Sequence, residues 1–460
     1  MAGPSQGILC ITLFFLRGLE LSKALSTVSP CVGYAKLPGV NFYVIGTSHF
    51  RCNSAQEVST LINDVRPDGV VLELDPERLL RLTLEGSMSD QDQLFGADFL
   101  AAINTSQKLD IPLFTGDEYA QETASKFLRT AFLPETYDPS PLLRTLLREK
   151  ATNMVDIPGA FVSDPFKLAP LIITISPALI LLLFTLQRFQ YMDFTADASL
   201  FLSLVVSFVG SCKVFNTLIA DRDDVLSSSA LRARHVIAAL KDNKTIRKRW
   251  TFTIPTSVNA AQNSGQEFGG HEQHALPLFT LKTPLKRGMV RNLNLFEPRW
   301  LRMVDSLNIS TPSTSSEYIG CVSCTNKFYS AVNINGTEGR YADVIFERKG
   351  ALAQVSHLRE AQRPSGARKV LVRIEGDGSF ILDDEKDVWA VQDGYLVASK
   401  FRTVEEEGIS ECIVEDGSGK KMHHPSSSSE YCTDDKGQEI NIIIVVGLLH
   451  ANGVIERLSR

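Results

Sequence analysis

The feature that most constrains this chain is a tetrad, a glycine followed by two residues and a histidine, that occurs near each end. The first is Gly46-Thr47-Ser48-His49 and the second is Gly447-Leu448-Leu449-His450. Each tetrad follows an apolar run, residues 42–45 or 440–446, with the composition of a buried parallel strand. Functional side chains in open α/β sheets gather beyond the carboxyl ends of strands. We therefore expect the two chain ends to fold together, with His49 and His450 in one site. A glycine at each strand end would let the backbone turn there.

Strand-like and helix-like patterns alternate after the first tetrad. Apolar residues recur at helical spacing over 58–65, and apolar strand patterns follow at 70–74 and 111–115. Such alternation is typical of a sheet covered by helices on both faces. The predicted fold class is α/β: a parallel-rich sheet with helices on both faces, interrupted by a transmembrane helical hairpin and a β-rich insertion.

Charge and cysteine content exclude two classes of protein. The net charge of −6 argues against a nucleic-acid partner. Eight cysteines in 460 residues are too dilute for a disulfide scaffold. The pair Cys321 and Cys324, together with Cys412 and Cys432, leaves three alternatives open: zinc ligands, a local disulfide or scattered thiols.

A leader is predicted over residues 1–30. Residues 7–16 form an apolar core like that of a signal peptide, and Ser22-Lys23-Ala24 resembles a cleavage site. No Lys or Arg precedes the apolar core. An uncleaved apolar N-terminus and a two-part organelle-targeting leader are the alternatives.

A transmembrane hairpin is predicted over residues 166–220. The uncharged stretch 168–187 has a spanning length, and 198–220 reaches one if Lys213 snorkels to the interface or faces a partner. Two crossings would keep both tetrads on the same side of the membrane. The expected protein is integral to a plastid, mitochondrial or endomembrane compartment. A buried core helix is the alternative for each stretch.

The remaining chain divides by composition into four further parts. They are an N-terminal α/β part (41–160), a helical part (221–256), a linker with a β-rich insertion (257–439), and a final strand with the second tetrad (440–460). Within the insertion, Gly376-Asp377-Gly378 is a hairpin-turn signal between alternating residues.

Polar residues at the ends of the second and third predicted strands complete a candidate site. Glu73 with His49 and His450 would make a ligand set for zinc, manganese or iron. Glu73 is alternatively a general base. Arg78 is expected to orient Glu73 or to stabilise an oxyanion, and Asp117 would end the third strand at the same edge. Arg222-Asp223 either forms a charged helix end or reaches the site.

Together these motifs resemble the TraB family, also called TraB/PrgY-like. The resemblance covers residues 41–130, roughly 214–240, and 440–455, which is under half of the chain. It rests on the two tetrads, on Val71 to Asp75 with Arg78, on Gly96 to Ala102, on Leu113 to Asp117, and on Ala220-Asp221-Arg222-Asp223. Glu118 stands where the family usually has arginine.

The wider clan is similar to Tiki-type metalloproteases and to erythromycin esterase-like hydrolases. The resemblance implies a membrane-anchored, metal-dependent hydrolase of peptides, with a divalent metal (zinc or manganese) as cofactor and a peptide or protein as substrate or partner. Two alternatives stay open. One is a non-enzymatic membrane regulator or adaptor that binds a peptide or organelle partner. The other is a metal-free esterase, in which a histidine–glutamate pair activates water.

Overall fold

The computed structural model describes residues 29–49, 53–88, 96–130, 209–253, 275–307, 318–404 and 439–460. Gaps of one or two residues lie at 211, 214, 364–365 and 392–393, and short pieces are described between 133 and 160. The predicted leader over residues 1–30 therefore lies almost entirely outside the described residues. The described chain forms two compact units: residues up to 238 with 328–330 and 439–460, and residues 239–438 without 328–330.

The described elements follow in chain order. The first unit begins with β1 (Val32–Leu37), β2 (Val40–Thr47), α1 (Ser54–Val65), β3 (Gly69–Leu72), α2 (Pro76–Met88), α3 (Ala97–Lys108), β4 (Leu113–Thr115), α4 (Ala120–Arg129) and α5 (Asp221–Lys241). The second holds β5 (Thr245–Thr253), β6 (Leu276–Leu281), β7 (Val290–Leu295), α6 (Pro298–Ser306), β8 (Tyr318–Ile334), β9 (Thr337–Gln362), β10 (Arg368–Ile381), β11 (Val388–Ala390), β12 (Leu396–Ala398) and β13 (Arg402–Val404). The chain closes with β14 (Ile440–Gly447) and α7 (Leu448–Leu458) of the first unit.

The first unit is built on a five-stranded sheet with the strand order β1-β2-β14-β3-β4. Its central strand β14 is the most apolar segment of the sheet, and every residue of it except Asn441 is buried. β14 runs parallel to β2 and to β3, and β3 runs parallel to β4, whereas β1 is antiparallel to β2. The N-terminal and C-terminal segments of the chain therefore lie side by side in the middle of one sheet.

The register brings the carboxyl ends of the parallel strands to one edge. Gly447 lies opposite Thr47, Val445 lies opposite Leu72, and Leu72 lies opposite Thr115. Residues that follow these positions in the chain are therefore neighbours in space.

Helices fix the segments that leave this edge. α7 begins directly after β14 and packs on β1 and β2, with Val454 and Ile455 fully buried. α5 buries small residues, Ser227, Ala230 and Ala233, along its length. Small side chains allow a helix to approach its neighbours closely. α5 therefore carries its first-turn charges into a tightly packed region.

The second unit is a separate and larger sheet. Along its main path the strand order is β11-β12-β6-β8-β9-β10-β13, while β5 pairs with β9 and β7 pairs with β10. Antiparallel pairing dominates; β6 and β8 form a parallel pair. A hairpin between β8 and β9 turns at Asn335-Gly336, where both residues have positive φ. That geometry and sequence are typical of a two-residue hairpin loop.

The fold-class prediction is wrong. The described chain has mixed sheets rather than one parallel-rich sheet, because β1 adds an antiparallel edge to the first sheet and the second sheet is mostly antiparallel. The turn expected at Gly376-Asp377-Gly378 is also wrong. These residues lie inside β10, where the register with β9 shifts between Gly376 and Gly378, so the glycines mark an irregularity of one strand.

The integral-membrane prediction is wrong for the part of the chain that the structure describes. None of the described helices is both long and apolar enough to cross a membrane. The stretch 168–187 and residues 198–208 of the predicted hairpin lie outside the described residues. The described end of the hairpin, Asn216–Ala220, is a single π-helical turn that leads into α5.

Candidate functional site

His49 lies two residues beyond β2 and adopts a left-handed backbone with φ 59°. This conformation is uncommon for a residue other than glycine, and it is concentrated at functional sites. The His49 carbonyl accepts a hydrogen bond from the Gly96 amide at 2.9 Å, and its ring stacks on Phe99 with 4.6 Å between the ring centres. The turn expected at Gly46 is made by His49 itself.

The Nδ1 atom of His49 lies 2.9 Å from Oδ2 of Asp98, in the first turn of α3. Asp98 is 1% exposed and also accepts a hydrogen bond from the Thr47 hydroxyl. A buried carboxylate on Nδ1 fixes the orientation of an imidazole and leaves Nε2 for chemistry. The side chain of His49 is 26% exposed, so a ligand can reach it.

Glu73, directly after β3, lies between the two histidines. Its Oε2 is 3.8 Å from Nε2 of His49, and its Oε1 is 3.4 Å from Nε2 of His450. The amide of Gly447 donates a hydrogen bond to Oε2 at 2.5 Å. Both tetrads therefore meet at one carboxylate.

His450 lies in the first turn of α7 and is buried. Its Nδ1 is 2.7 Å from Oδ1 of Asp223, in the first turn of α5. Arg457 reaches Asp223 at 3.3 Å from the far side. Each imidazole thus has a carboxylate of its own on Nδ1 and faces Glu73 with Nε2.

Arg222, next to Asp223 on α5, brings a guanidinium into the cluster. It donates to Glu73 at 2.6 Å and to both carboxylate oxygens of Asp117 at 2.5 and 3.0 Å. Arg78 donates to the same Asp117 at 3.2 Å. The carboxylate of Asp117 is 2% exposed, so these guanidinium groups compensate a buried charge.

Gly447 lies where the cluster has no room for a side chain. A Cβ there would come within 3.1 Å of Nε2 of His49 and within 3.4 Å of both Oε2 of Glu73 and Cδ2 of His450. The glycine of the second tetrad therefore allows close approach of the backbone to the cluster.

Charges around His49 set its protonation. Burial alone would lower the pKa of His49, but the carboxylates of Asp98 and Glu73 outweigh it and raise the pKa to about 10. Burial likewise opposes ionisation of Glu73, yet His450, Arg222 and His49 hold its pKa well below the usual range. The pKa of Asp98 is lowered in spite of burial, because the His49 imidazolium and the Thr47 hydroxyl stabilise its charge.

The second imidazole has a similar environment. Burial would lower the pKa of His450, but Glu73 and Asp223 raise it above its ordinary value. The pKa of Asp223 is raised because burial outweighs the stabilisation by His450 and Arg457. Near neutral pH the cluster therefore holds imidazolium and carboxylate groups side by side.

The predicted metal site is wrong for the residues that the structure describes. Among them no group of three or more His, Cys, Asp or Glu side chains is arranged to hold a metal ion. The physical reason lies in the donor set. Both oxygens of Glu73 already accept hydrogen bonds, from Arg222 and from the Gly447 amide. In the described arrangement the positive charge beside Glu73 comes from the guanidinium of Arg222.

The structure brings all five predicted site residues to one edge, and three further residues join them, among them Arg222 and Asp223, which do reach the site. His49, Glu73 and His450 meet directly, while Arg78 and Asp117 join through Arg222. The additional residues are Asp98, Arg222 and Asp223. Glu118 points elsewhere and pairs with Lys126 at 2.7 Å.

Two cysteines in β8 are free thiols in the structure. Cys321 and Cys324 are three residues apart in one strand, so their side chains point to opposite faces. Burial raises the pKa of Cys321 to about 12 and that of Cys324 to about 11. Cys412 and Cys432 lie outside the described residues.

Comparisons with known proteins give no family for this chain. No protein-family model matches the sequence. No curated protein is a significant match. Among solved structures, the chain is similar to the crystal structure of a Lon N-terminal domain protein from Xanthomonas campestris, at 18% identity and a TM-score of 0.18. The match covers 28% of this chain and 60% of that one. A TM-score at this level carries no structural conclusion.

Proposed function

We propose that this protein is a metal-independent hydrolase that cleaves an acyl bond, an ester or the amide of a peptide. The observation that carries the proposal is the pairing of His49 with Glu73. The imidazole is tied to Asp98 through Nδ1 and turns Nε2 toward a carboxylate 3.8 Å away. The separation is short enough for one water or substrate atom beside the pair to contact both groups.

The pair takes one proton from water and gives one proton to the leaving group in each catalytic cycle. Glu73 accepts a proton from the water that attacks the acyl carbon, and the imidazolium of His49 donates a proton to the leaving oxygen or nitrogen. The protonated Glu73 then returns its proton to the neutral imidazole, which restores the starting charges. General acid–base catalysis contributes about 10²–10⁴-fold in rate, and we expect the lower end here because the pKa values of Glu73 and His49 lie on opposite sides of neutral pH, away from it.

The other charged groups hold Glu73 in place. Arg222 and the Gly447 amide fix its two oxygens, and His450 lies 3.4 Å from Oε1. Arg222 and His450 both contact the carboxylate of Glu73, whereas the exposed imidazole of the cluster is that of His49, 26% against 4% for His450. His450 and Arg222 are therefore positioning residues.

The resemblance to the TraB, Tiki and erythromycin esterase-like clan supports hydrolysis, because both tetrads and Glu73 carry that resemblance. Peptides are included among the substrates for the same reason. The donor set of the cluster favours the metal-free branch of the clan, in which a histidine and a glutamate activate water without an ion.

The test is hydrolysis of chromogenic esters and fluorogenic peptides by the full-length chain in the presence of a strong chelator. We expect turnover in chelator and a loss of about 10²–10⁴-fold in kcat/KM for His49→Gln or Glu73→Gln. His235→Gln is the matched control, because His235 is an exposed histidine on α5. Activity that disappears in chelator and returns with added metal would overturn the proposal, as would equal activity of His49→Gln and His235→Gln.

A further inference from the structure

A pocket of about 340 Å³ opens beside the cluster, between the start of α2 and the start of α4. Asp75, Glu77, Arg78 and Arg81 line it from the α2 side. Tyr119 and Glu122 line it from the α4 side. The volume lies at the lower end of the range for small-molecule sites.

Asp75 is the unusual member of this lining. Its Oδ1 accepts hydrogen bonds from the amides of Glu77 and Arg78 at 2.9 and 3.0 Å, which caps α2. Its Oδ2 is buried and has no hydrogen-bond partner among the described residues. The whole residue is 1% exposed. A buried carboxylate oxygen without a donor is unfavourable, so a ligand that supplies one gains affinity there.

The charges around the pocket define that donor. Arg78 is committed to Asp117 at 3.2 Å, and Arg81 lies 3.8 Å from Glu77. Neither guanidinium group of the described lining pairs with the carboxylate of Asp75 or of Glu122. A compact cation with N–H donors satisfies both requirements, and a primary ammonium group is such a cation.

Tyr119 adds an aromatic surface to the pocket. Its side chain is 45% exposed although it is large and partly apolar. An ammonium group over an aromatic face gains about 0.5–1 kcal/mol at an exposed position. The face of this ring offers an anion no such attraction.

We propose that this pocket binds a primary ammonium group of the substrate, either the α-amine of a peptide or a lysine side chain. That the ammonium group belongs to a substrate rests on the proposed hydrolase, whereas binding of the ammonium group does not depend on it. Asp75 follows Glu73 by one intervening residue, and Arg78 joins the pocket to the cluster through Asp117. An amine anchored here therefore lies beside the segment that carries Glu73.

The experiment is calorimetric titration of the full-length chain with three alanine-based peptide amides. The first has a free α-amine, the second is N-acetylated and contains one lysine, and the third is N-acetylated without lysine. We expect one or both amines to bind at least about tenfold more tightly than the third peptide, since a charge-assisted hydrogen bond contributes about that factor. The peptide that gains affinity identifies the source of the amine.

Asp75→Asn is the decisive variant, because asparagine keeps the helix cap but replaces Oδ2 with a donor. It should abolish the preference for amines, whereas Asp64→Asn on the exposed face of α1 should keep it. Equal binding of all three peptides, or an unchanged preference in Asp75→Asn, would overturn the inference.

Amine binding is titrated in the His49→Gln background, where turnover does not interfere, and hydrolysis is measured on the wild-type chain. Asp75-dependent amine binding together with a wild-type chain that hydrolyses nothing would support the pocket and refute the hydrolase. Hydrolysis without any preference for amines would support the hydrolase and refute the pocket.

Discussion

Replacing Arg222 by methionine tests the role of its guanidinium as the resident cation of the cluster. The substitution leaves Glu73 and Asp117, 5% and 2% exposed, without their shared partner. Breaking a buried ion pair by removing one member costs about 3–5 kcal/mol. Arg222 itself is 16% exposed, so water compensates part of the loss and we expect the lower end, about 3 kcal/mol. That corresponds to a roughly hundredfold fall in the ratio of folded to unfolded protein.

The assay is urea unfolding of the full-length chain, followed by far-ultraviolet circular dichroism and by pulse proteolysis. Arg81→Met is the matched control, because Arg81 is 65% exposed and lies 3.8 Å from Glu77. Exposed pairs of this kind contribute about 0–1 kcal/mol. Equal destabilisation by the two substitutions would refute the view that Arg222 compensates buried carboxylates. A double-mutant cycle with Glu73→Gln isolates the contribution of that one contact.

Three further predictions follow from the described geometry. Gly447→Ala brings a Cβ within 3.1 Å of Nε2 of His49 and should lower kcat/KM by about 10²-fold, comparable to a misplaced catalytic group. Gly378→Ala, which meets nothing within 4 Å, should leave kcat/KM unchanged in the same hydrolysis assay. Neighbouring carboxylates outweigh burial and raise the folded-state pKa of His49 to about 10, above the unfolded value of about 6.5. The stability that its imidazolium contributes is therefore fully present below about pH 6.5 and is lost as pH rises toward about 10. Unfolding of wild type and of His49→Gln across this window measures the loss, and a difference that grows with pH would contradict the sign. Burial raises the pKa of Cys321 and Cys324, so both should be alkylated more slowly in the native chain than after denaturation at pH 8. Mass spectrometry of the alkylated peptides measures both rates.

The central strands were accessible from sequence because their apolar runs are continuous. Residues 42–45 and 440–446 lie within β2 and β14, and parallel pairing alone brings their ends together. β1 was missed: its residues alternate in burial and include Gly33 and Lys36, which is a weak pattern for a strand. Pairing with β2 makes it a strand, and that pairing is long-range information. The sheet is mixed for this reason.

In the second sheet, too, long-range pairing decides what the local sequence does not. Gly376 and Gly378 signal a turn when read locally, but β9 is long enough to pair along the whole of β10 and to absorb the irregularity. The turn at Asn335-Gly336, in contrast, agrees with the local sequence rule for a two-residue hairpin loop, because both residues have positive φ.

The cluster was predictable in its residue types and not in its chemistry. Two histidines and a glutamate at one sheet edge have the composition of a metal site and equally of an ion-pair network. The choice depends on Arg222, which is separated from Glu73 by 149 positions and arrives with the docking of α5. Asp98 and Asp223 depend on helix docking in the same way. No local pattern reports where a helix docks.

The measurement that tests the account most directly is the hydrolysis rate of protein whose metal content has been shown to be negligible by elemental analysis. The metal-free wild-type chain should cleave its ester or peptide at the same rate before and after metal is added, and His49→Gln should lose that activity. A metal-free chain that is inactive until zinc or manganese is restored would contradict the central claim that His49 and Glu73 act without an ion.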